Sequence, residues 1–492
     1  MKNFCLLLLV ARLVDVTSTS WEAAARAHAL AHTDDLIEDL TTLVSFPSVS
    51  AVPEQTPDLR AAAEFSKTKL LQLGLENVQL FQPGSFLFGE HLHADKNAPT
   101  VLVYGHFDVQ PAEPIDLWVS PPFNATRFEH ATDGASIRGR GASDDKGGVL
   151  AALYGLLAVR ATATGPSKFP VNLKVFLEGQ EEIGSPDLPD FVRDHASLLS
   201  CDVVLSADGD MLSETQPSLT LGYRGAAAVH IQVTTAHSDL HSGSFGGSVP
   251  NAAHVLAEIL ASLHSNGAVA APGFYDGVRA LSQSDRSDLA GVPHNEAGEL
   301  ASLGIRAPHG ERGFTALERR WARPTAEITG MWSGWTGDGT KTVLPATAHA
   351  TIVARLVPDQ VPVRAFEALR NHLLASAPAR VANVSVTRGG FASSPSLAPK
   401  DTAANTAAAA VLEEIYGVAP VFKRSGGSIA AISLFHEHLR AHTTTLAFGY
   451  SGNSVHAPNE HMAIRDLKRG VEAWAAILFR LMSTHSHEAG EL

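Results

Sequence analysis

Cysteine is nearly missing from this chain: Cys5 and Cys201 are the only two among 492 residues. Two thiols cannot build a disulfide framework, and they rule out a thiolate zinc site, so any metal must rest on His, Asp and Glu. Positive charge is also in short supply. Lys and Arg number 37 against 51 Asp and Glu, a formal net charge of -14, which argues against nucleic acid or an anionic membrane surface as a partner. Long apolar runs are lacking as well. Phe4 to Val10 follows Lys2 and resembles a short signal-peptide core, with Ser18 and Ser20 as small cleavage residues. Arg12 and Asp15 interrupt it, and it falls far short of a membrane span. A cleaved signal and a leader without function both stay open. The expected location is the cytoplasm; removal of residues 1–20 would make the chain secreted or periplasmic, and only then would the sequons at Asn124 and Asn383 matter.

What is present is enough apolar material for a large core, 45% hydrophobic against 18% charged, over a length that suits two domains. The chain is organised around Val101-Leu-Val-Tyr-Gly-His-Phe-Asp-Val-Gln110. Its apolar start, after Pro99 and Thr100, reads as a buried strand that ends at Gly105 and then presents His106 and Asp108. Before it, Trp21 to Val44 carries apolar residues at helical spacing, Leu59 to Leu73 reads as a second helix closed by Gly74, and short strands follow at Val78–Phe81 and Ser85–His91. After it come a loop and small-residue helix over Asp144–Val159, a buried strand at Val171–Leu177 and a short one at Val203–Leu205. Strands alternating with helices predict an α/β domain, a mostly parallel sheet covered by helices.

From about Ser218 the texture changes. Leu219–Thr235 reads as paired strands around Gly222 and Gly225, Val249–Leu263 as helix, and Gly267–Arg312 as long loops. Thr342–Val357 alternates like a half-buried strand, and Val363–Leu374 is helical. This predicts a smaller α+β domain over 218–391, inserted between two parts of the first domain, 21–217 and 392–492. The last part offers a helix at Thr402–Tyr416, a glycine-rich turn at Ser425–Gly427, a strand at Thr443–Phe448 and a helix at Ile464–Met482, with a solvated tail at His485–His487. No internal repeat is visible.

Four further polar clusters stand where strands of the expected sheet end. Asp144 lies in Gly139-Arg-Gly-Ala-Ser-Asp-Asp-Lys-Gly-Gly148, just before a helix, where helix capping by Asp144 and Asp145 is the plainer reading. Glu181 and Glu182 are adjacent carboxylates that repel, and an apolar setting would require a cation or a proton between them. Asp208 sits in Ser206-Ala-Asp-Gly209 and His456 in Gly452–Glu460; alone, each passes for a turn residue. Taken in order, His106, Asp144, Glu182, Asp208 and His456 supply one bridging carboxylate and two terminal ligands for each of two metals. Grouping at the carboxyl ends of sheet strands is where open α/β folds place their sites. The donors suit zinc, with manganese as the alternative.

The set resembles the co-catalytic dinuclear zinc peptidase family that includes aminoacylases, glutamate carboxypeptidases and carnosine-type dipeptidases, nearest to the cytosolic nonspecific dipeptidase and carnosinase branch. The carrying segments are Tyr104–Pro111, Gly139–Gly147, Glu178–Glu182, Asp239–Gly243, Lys341–Pro345, Arg355–Pro358 and Arg424–Ile429, which span both expected domains. The resemblance implies that His106 and Asp208 bind one metal, Glu182 and His456 the other, and that Asp144 bridges them. It makes Asp108 the residue that orients His106, and Glu181 the general base. It gives His241 the task of polarising the scissile carbonyl in the partner subunit of a homodimer formed through the inserted domain, with Thr342 assisting. Arg355 would grip the substrate's carboxylate and Ser428 would add hydrogen bonds there.

One departure stands out. Close relatives carry a histidine before a Gly-Gly step where this chain has Arg388-Gly-Gly390, and the following Pro-Trp is missing. Either a local insertion shifts the alignment, or Arg388 is a second cation at the carboxylate end. The implied activity is hydrolysis of dipeptides or short peptides with a free C-terminus. The alternatives are an N-acyl-amino-acid deacylase or carboxypeptidase of the same family, which differ in a pocket that sequence does not resolve, and a metal-binding protein without catalysis, which would be expected to have lost Glu181 or a ligand.

Overall fold

The structure, a computed structural model, describes residues 19–95 and 97–488, without the side chains of Pro83 and of residues 484–488. The leader at residues 1–20 lies outside the described residues up to residue 18, as do the side chains of the tail residues His485 and His487. Among the described residues no helix is long and apolar enough to cross a membrane.

The chain forms two compact units. One holds the chain up to Leu221, Ala398–Phe422 and the chain from Leu434; the other holds Gly222–Leu397 and Lys423–Ser433. The sequence placed the boundaries at 217/218 and 391/392, and nothing in its composition marks the brief membership of Lys423–Ser433 in the second unit.

In the first unit a six-stranded sheet runs in the order Glu76–Phe81, Phe86–His91, Asn172–Glu178, Thr100–His106, Val203–Ser206, Thr443–Thr445. The last four strands are parallel, and the first two attach as an antiparallel edge. Thr100–His106 has a strand on each side and a layer on each face, which is why its apolar run is continuous rather than alternating. Val101 and Val103 pack with Leu173, Val175 and Leu177 into the main core, which includes the helices Lys146–Ala161 and Ile464–Glu488. Tyr104 points the other way, to an aromatic layer with Phe86, Phe176, Phe191 and Phe435. Small residues in Lys146–Ala161 have a steric cause: a Cβ on Gly155 would fall 2.5 Å from Trp474 Cβ of the terminal helix.

The second unit has a four-stranded antiparallel sheet ordered Thr325–Ser333, Thr347–Leu356, Gly225–Thr234, Asn383–Ser393. Along Thr347–Leu356 alternate residues are buried, Ala348 to Leu356, because only one face lies against a core, with helices Ala252–Ala261 and Pro362–Ala375.

Several local expectations are corrected. The first helix breaks at His32 into two pieces, residues 19–31 and Thr33–Val44. Ser218–Tyr223 and Gly225–Thr234 do not pair with each other: the former pairs with Ser396–Leu397, and the latter lies inside the four-stranded sheet. The stretch read as long loops contains the helices Gln283–Ala290 and Glu296–Ser302, both capped by the side chain that precedes them, Ser282 and Asn295. The strand expected over Thr443–Phe448 is only Thr443–Thr445, a further short strand follows at His461–Ala463, and the terminal helix runs on to Glu488.

Candidate metal centre and active site

The strand ending at His106 and the parallel strand ending at Glu178 deliver the first donors side by side, since His106 pairs with Glu178 in the register. His106 is buried, with Nδ1 3.0 Å from the Asp108 carbonyl oxygen and 3.4 Å from Asp108 Oδ1. An Nδ1–H donated to that carbonyl leaves the Nε2 lone pair free, the tautomer a metal ligand requires. Nε2 faces Asp144 Oδ1 at 3.1 Å. The Asp108 carboxylate, expected to orient His106, is the farther of the two groups from Nδ1. Its two oxygens accept the backbone N–H groups of Glu181 and Glu182, at 3.2 and 3.1 Å, and so hold that short helical turn against the strand end.

Asp144 sits at the helix entrance, but no side chain caps that helix; Asp145 occupies the capping position and reaches back to accept the His106 backbone N–H at 3.3 Å. Glycine is required beside it, because a Cβ on Gly148 would fall 2.1 Å from Asp145 Oδ1. The Asp144 carboxylate meets His106 with one oxygen and His456 Nε2 with the other, at 2.9 Å, and His456 Nε2 lies 3.1 Å from Glu182 Oε2. His456 has φ +59, in the left-handed region that non-glycine residues seldom occupy, and Ser454 and Asn459 in the same loop share it. Donor atoms of His106, Asp144 and Asp208 lie within 4.8 Å of one another, as do those of Asp144, Glu182 and His456. Asp144 is common to both groups.

Burial and crowding set the protonation of these groups. Burial lifts the Asp208 carboxyl to about 7, against the pull of His106 and with the push of Asp144 and Glu182. Burial, then Asp208, raises Glu181 well above the usual carboxyl range. Hydrogen bonds with Asp144 and Glu182 raise His456 to about 10. Burial opposes a charge on His106, yet its bonds with Asp108 and Asp144 keep its pKa well above the ordinary value. So many buried carboxylates need compensating positive charge, and divalent cations compete with protons for these same imidazole and carboxylate lone pairs. The donor set fits two such ions.

Sequence reasoning missed the supports. Glu460 Oε1 accepts the backbone N–H groups of Ser143 and Asp144, both at 3.0 Å, and its Oε2 accepts from Gly141 N–H at 3.0 Å and Arg140 Nη1 at 2.7 Å. Gln110 Nε2 donates to Glu182 Oε2 at 2.9 Å. Buried Asp133 accepts from the Tyr450 hydroxyl and lies 3.0 Å from His461 Nε2, tying down the loop on both sides of His456. Buried Lys146 donates to the carbonyls of Leu43, in the last turn of Thr33–Val44, and of Phe46, just past it. Asp145, Lys146 and Glu460 were visible only as charges inside motifs; burial, which sequence does not display, distinguishes them from surface residues.

The second unit groups the remaining candidates in two places. His241 pairs with Val343, and the carbonyl of Thr342, the residue before it, accepts from Ser242 N–H at 3.1 Å. His241 Nδ1 accepts the backbone N–H groups of Gly243 and Ser244, at 3.0 and 3.2 Å, so a neutral ring carries its proton on Nε2. Arg355 Nη1 donates to Ser428 Oγ at 2.9 Å. It lines a cavity of 520 Å³ with Arg224, Arg320 and Glu327, and burial, then Arg355, lowers the Arg224 pKa to about 10. Arg388 is not with them. It pairs with Val229 while Arg355 pairs with Ala226, three residues along the same strand, so the two arginines lie on opposite sheet faces. Arg388 stacks over Phe366, 5.1 Å from the ring centre. The expectation that Arg388 joins the carboxylate end is corrected by that parity.

A family model described as Peptidase family M20/M25/M40 matches residues 102–480. The chain belongs to that family. Among its relatives, the Cys-Gly metallodipeptidase of Schizosaccharomyces pombe is 29% identical over 92% of this chain and 96% of its own length. The Beta-Ala-His dipeptidase of Mus musculus is 28% identical over 92% and 94%. Among solved structures, the di-peptidase Dug1p from Saccharomyces cerevisiae superposes with a TM-score of 0.80 at 26% identity, covering 94% of this chain and 98% of that one. Human carnosine dipeptidase 1 gives 0.78 at 25%, covering 94% and 99%. Family and fold are those the sequence motifs implied.

Proposed function

We propose that this chain is a metal-dependent dipeptidase that hydrolyses the peptide bond of short peptides with a free C-terminus. The observation that carries the reading is the pair of donor groups sharing Asp144, with Glu181 on the turn that Asp108 anchors. His106 and Asp208 would hold one divalent ion, Glu182 and His456 the other, and Asp144 both; zinc suits the donors first and manganese second. When bound, such ions supply Lewis acidity and make water acidic enough to attack near neutral pH.

Glu181 takes a proton from the attacking water as its oxygen bonds to the scissile carbonyl carbon. It returns that proton to the departing amine nitrogen as the C–N bond breaks. His241 supports the developing oxyanion with its Nε2–H, the donor left free when Nδ1 accepts from Gly243 and Ser244, and Thr342 assists from just before the adjoining strand. Arg355 and Ser428 bind the substrate carboxylate, with a guanidinium that donates to the neutral Ser428 hydroxyl.

A homodimer through the second unit is part of this reading. Its support is the strand Thr325–Ser333, which ends the four-stranded sheet and leaves Ile328, Met331 and Trp332 about half exposed, with Trp335 beyond. An apolar edge strand of that length is a surface for pairing. We place the enzyme in the cytoplasm.

The test is a panel of dipeptides, including Cys-Gly and β-Ala-His, beside N-acetyl amino acids, on chelator-stripped protein and after return of zinc or manganese. Dipeptide cleavage restored by metal is expected, and Glu181→Ala should retain the metal while losing roughly 10²–10⁴-fold in turnover. Cleavage of N-acyl substrates alone would move the chain to a deacylase. No cleavage by the loaded protein would overturn the reading.

A further inference from the structure

At the opposite end of the sheet from His106, the antiparallel edge holds a second constellation of donors. His91 pairs with Leu173, which pairs with Val101, whereas His106 pairs with Glu178. Five residues of strand separate the two ends, about 17 Å at 3.3 Å per residue.

His91 is 8% exposed, and neither of its ring nitrogens has a hydrogen-bond partner. Its ring stands edge-on to Phe169 at 5.1 Å and to His93 at 4.8 Å. His93 is exposed, and its Nε2 lies 2.8 Å from Oε1 of Glu76, on the edge strand. One donor atom from each of Glu76, His91 and His93 lies within 4.8 Å of the others.

A buried imidazole with both nitrogens unbonded is uncommon and costly, and it calls for an explanation. The apolar side of the pocket, Phe169, offers no acceptor. The polar side offers His93 and Glu76, which already face each other. A cation placed among the three would satisfy the His91 lone pair and leave its remaining positions open to water.

We propose that Glu76, His91 and His93 form a binding site for one borderline divalent cation, of the zinc, nickel or copper class, separate from the metal centre at the strand ends. Two imidazoles and one carboxylate are the donor set such ions prefer, while calcium and magnesium favour all-oxygen shells. Burial, then His93, lowers the His91 pKa, which keeps the ring in the neutral form a ligand needs. Glu76 favours a proton there and so competes with the metal at low pH; Arg160 also lowers the ring's pKa, and a weak backbone contact at Gly74 raises it. A bound ion would clip the first residue of the edge strand to the segment that follows its neighbour, joining Glu76 to His93 across the hairpin. The site does not depend on the peptidase reading.

The experiment compares zinc bound per chain, by equilibrium dialysis with elemental analysis, for the wild-type chain and for Glu76→Gln, His91→Phe and His93→Ala. Each variant is expected to bind one equivalent fewer than wild type, with dipeptide hydrolysis unchanged. Glu76 and His93 are exposed, so those two variants report even if His91→Phe fails to fold. With copper added to the zinc-loaded protein, the electron spin resonance of wild type should show coupling to two imidazole nitrogens, and that of His93→Ala to one. Equal zinc content in wild type, Glu76→Gln and His93→Ala would overturn the proposal and leave only a surface His–Glu pair.

Discussion

Glu460 and Arg140 form a fully buried ion pair at 2.7 Å, and the same carboxylate accepts three backbone N–H groups of the turn that carries Asp144. His456 lies four residues before Glu460, so one side chain links the loops that bring two proposed ligands together. Glu460→Gln keeps the shape but removes the charge. Loss of one partner from a buried pair should lower stability by about 3–5 kcal/mol, read by urea denaturation. Slackening of the Asp144 turn should weaken metal binding by roughly 10–100-fold, read by competition with a chromophoric chelator.

Asp108 supports both halves of the centre, His106 through its carbonyl and the Glu181–Glu182 turn through its carboxylate. An asparagine has one acceptor oxygen for two N–H groups and turns its NH₂ toward the other. Asp108→Asn should therefore lower metal affinity or turnover by roughly 10–100-fold while KM changes little. An unchanged turnover with full metal content would separate Asp108 from the chemistry.

His241 is proposed to act across a dimer. Mixtures of His241→Ala with Glu181→Ala subunits should regain activity after exchange, because one of the two sites in a mixed dimer draws an intact residue from each chain. Either variant alone should stay inactive. Failure to recover despite demonstrated exchange would place His241 in its own subunit's site or outside the mechanism.

Arg355 and Arg388 lie on opposite faces of one sheet, and the expected phenotypes differ accordingly. Arg355→Ala should raise KM roughly ten- to a hundred-fold, the loss of a charged hydrogen bond worth about 1.5–3 kcal/mol. Arg388→Ala, a change on an exposed stacking residue, should leave kcat/KM within about twofold.

Cys201 should be inert in the folded chain. Burial pushes its thiol up to about 12 from 9.0, so at pH 8 almost none is thiolate. In a Cys5→Ser background, a disulfide-exchange reagent should label the unfolded chain promptly and the folded chain slowly. Between pH 9 and 12 the unfolded thiol ionises first, so this group's contribution to stability is present below pH 9 and lost as pH rises toward 12.

The sequence by itself named the proposed donors and gave the order of the fold. Strand ends at His106 and Glu178 are legible because a central parallel strand must be apolar along its whole length, and its first polar residues mark where it leaves the core. The motifs then named the family before any contact was known. Tertiary structure alone decided what those residues face. Whether Asp145 caps a helix or bonds a neighbouring strand, whether Glu460 is solvated or holds Asp144, and whether Arg388 shares a face with Arg355 depend on the packing of segments far apart in the chain. The face of Arg388 turns on strand register, where a shift of one residue reverses every side chain. The orphaned ring of His91 depends on Phe169 covering it from another part of the chain, and nothing in Glu90-His-Leu-His93 states that burial.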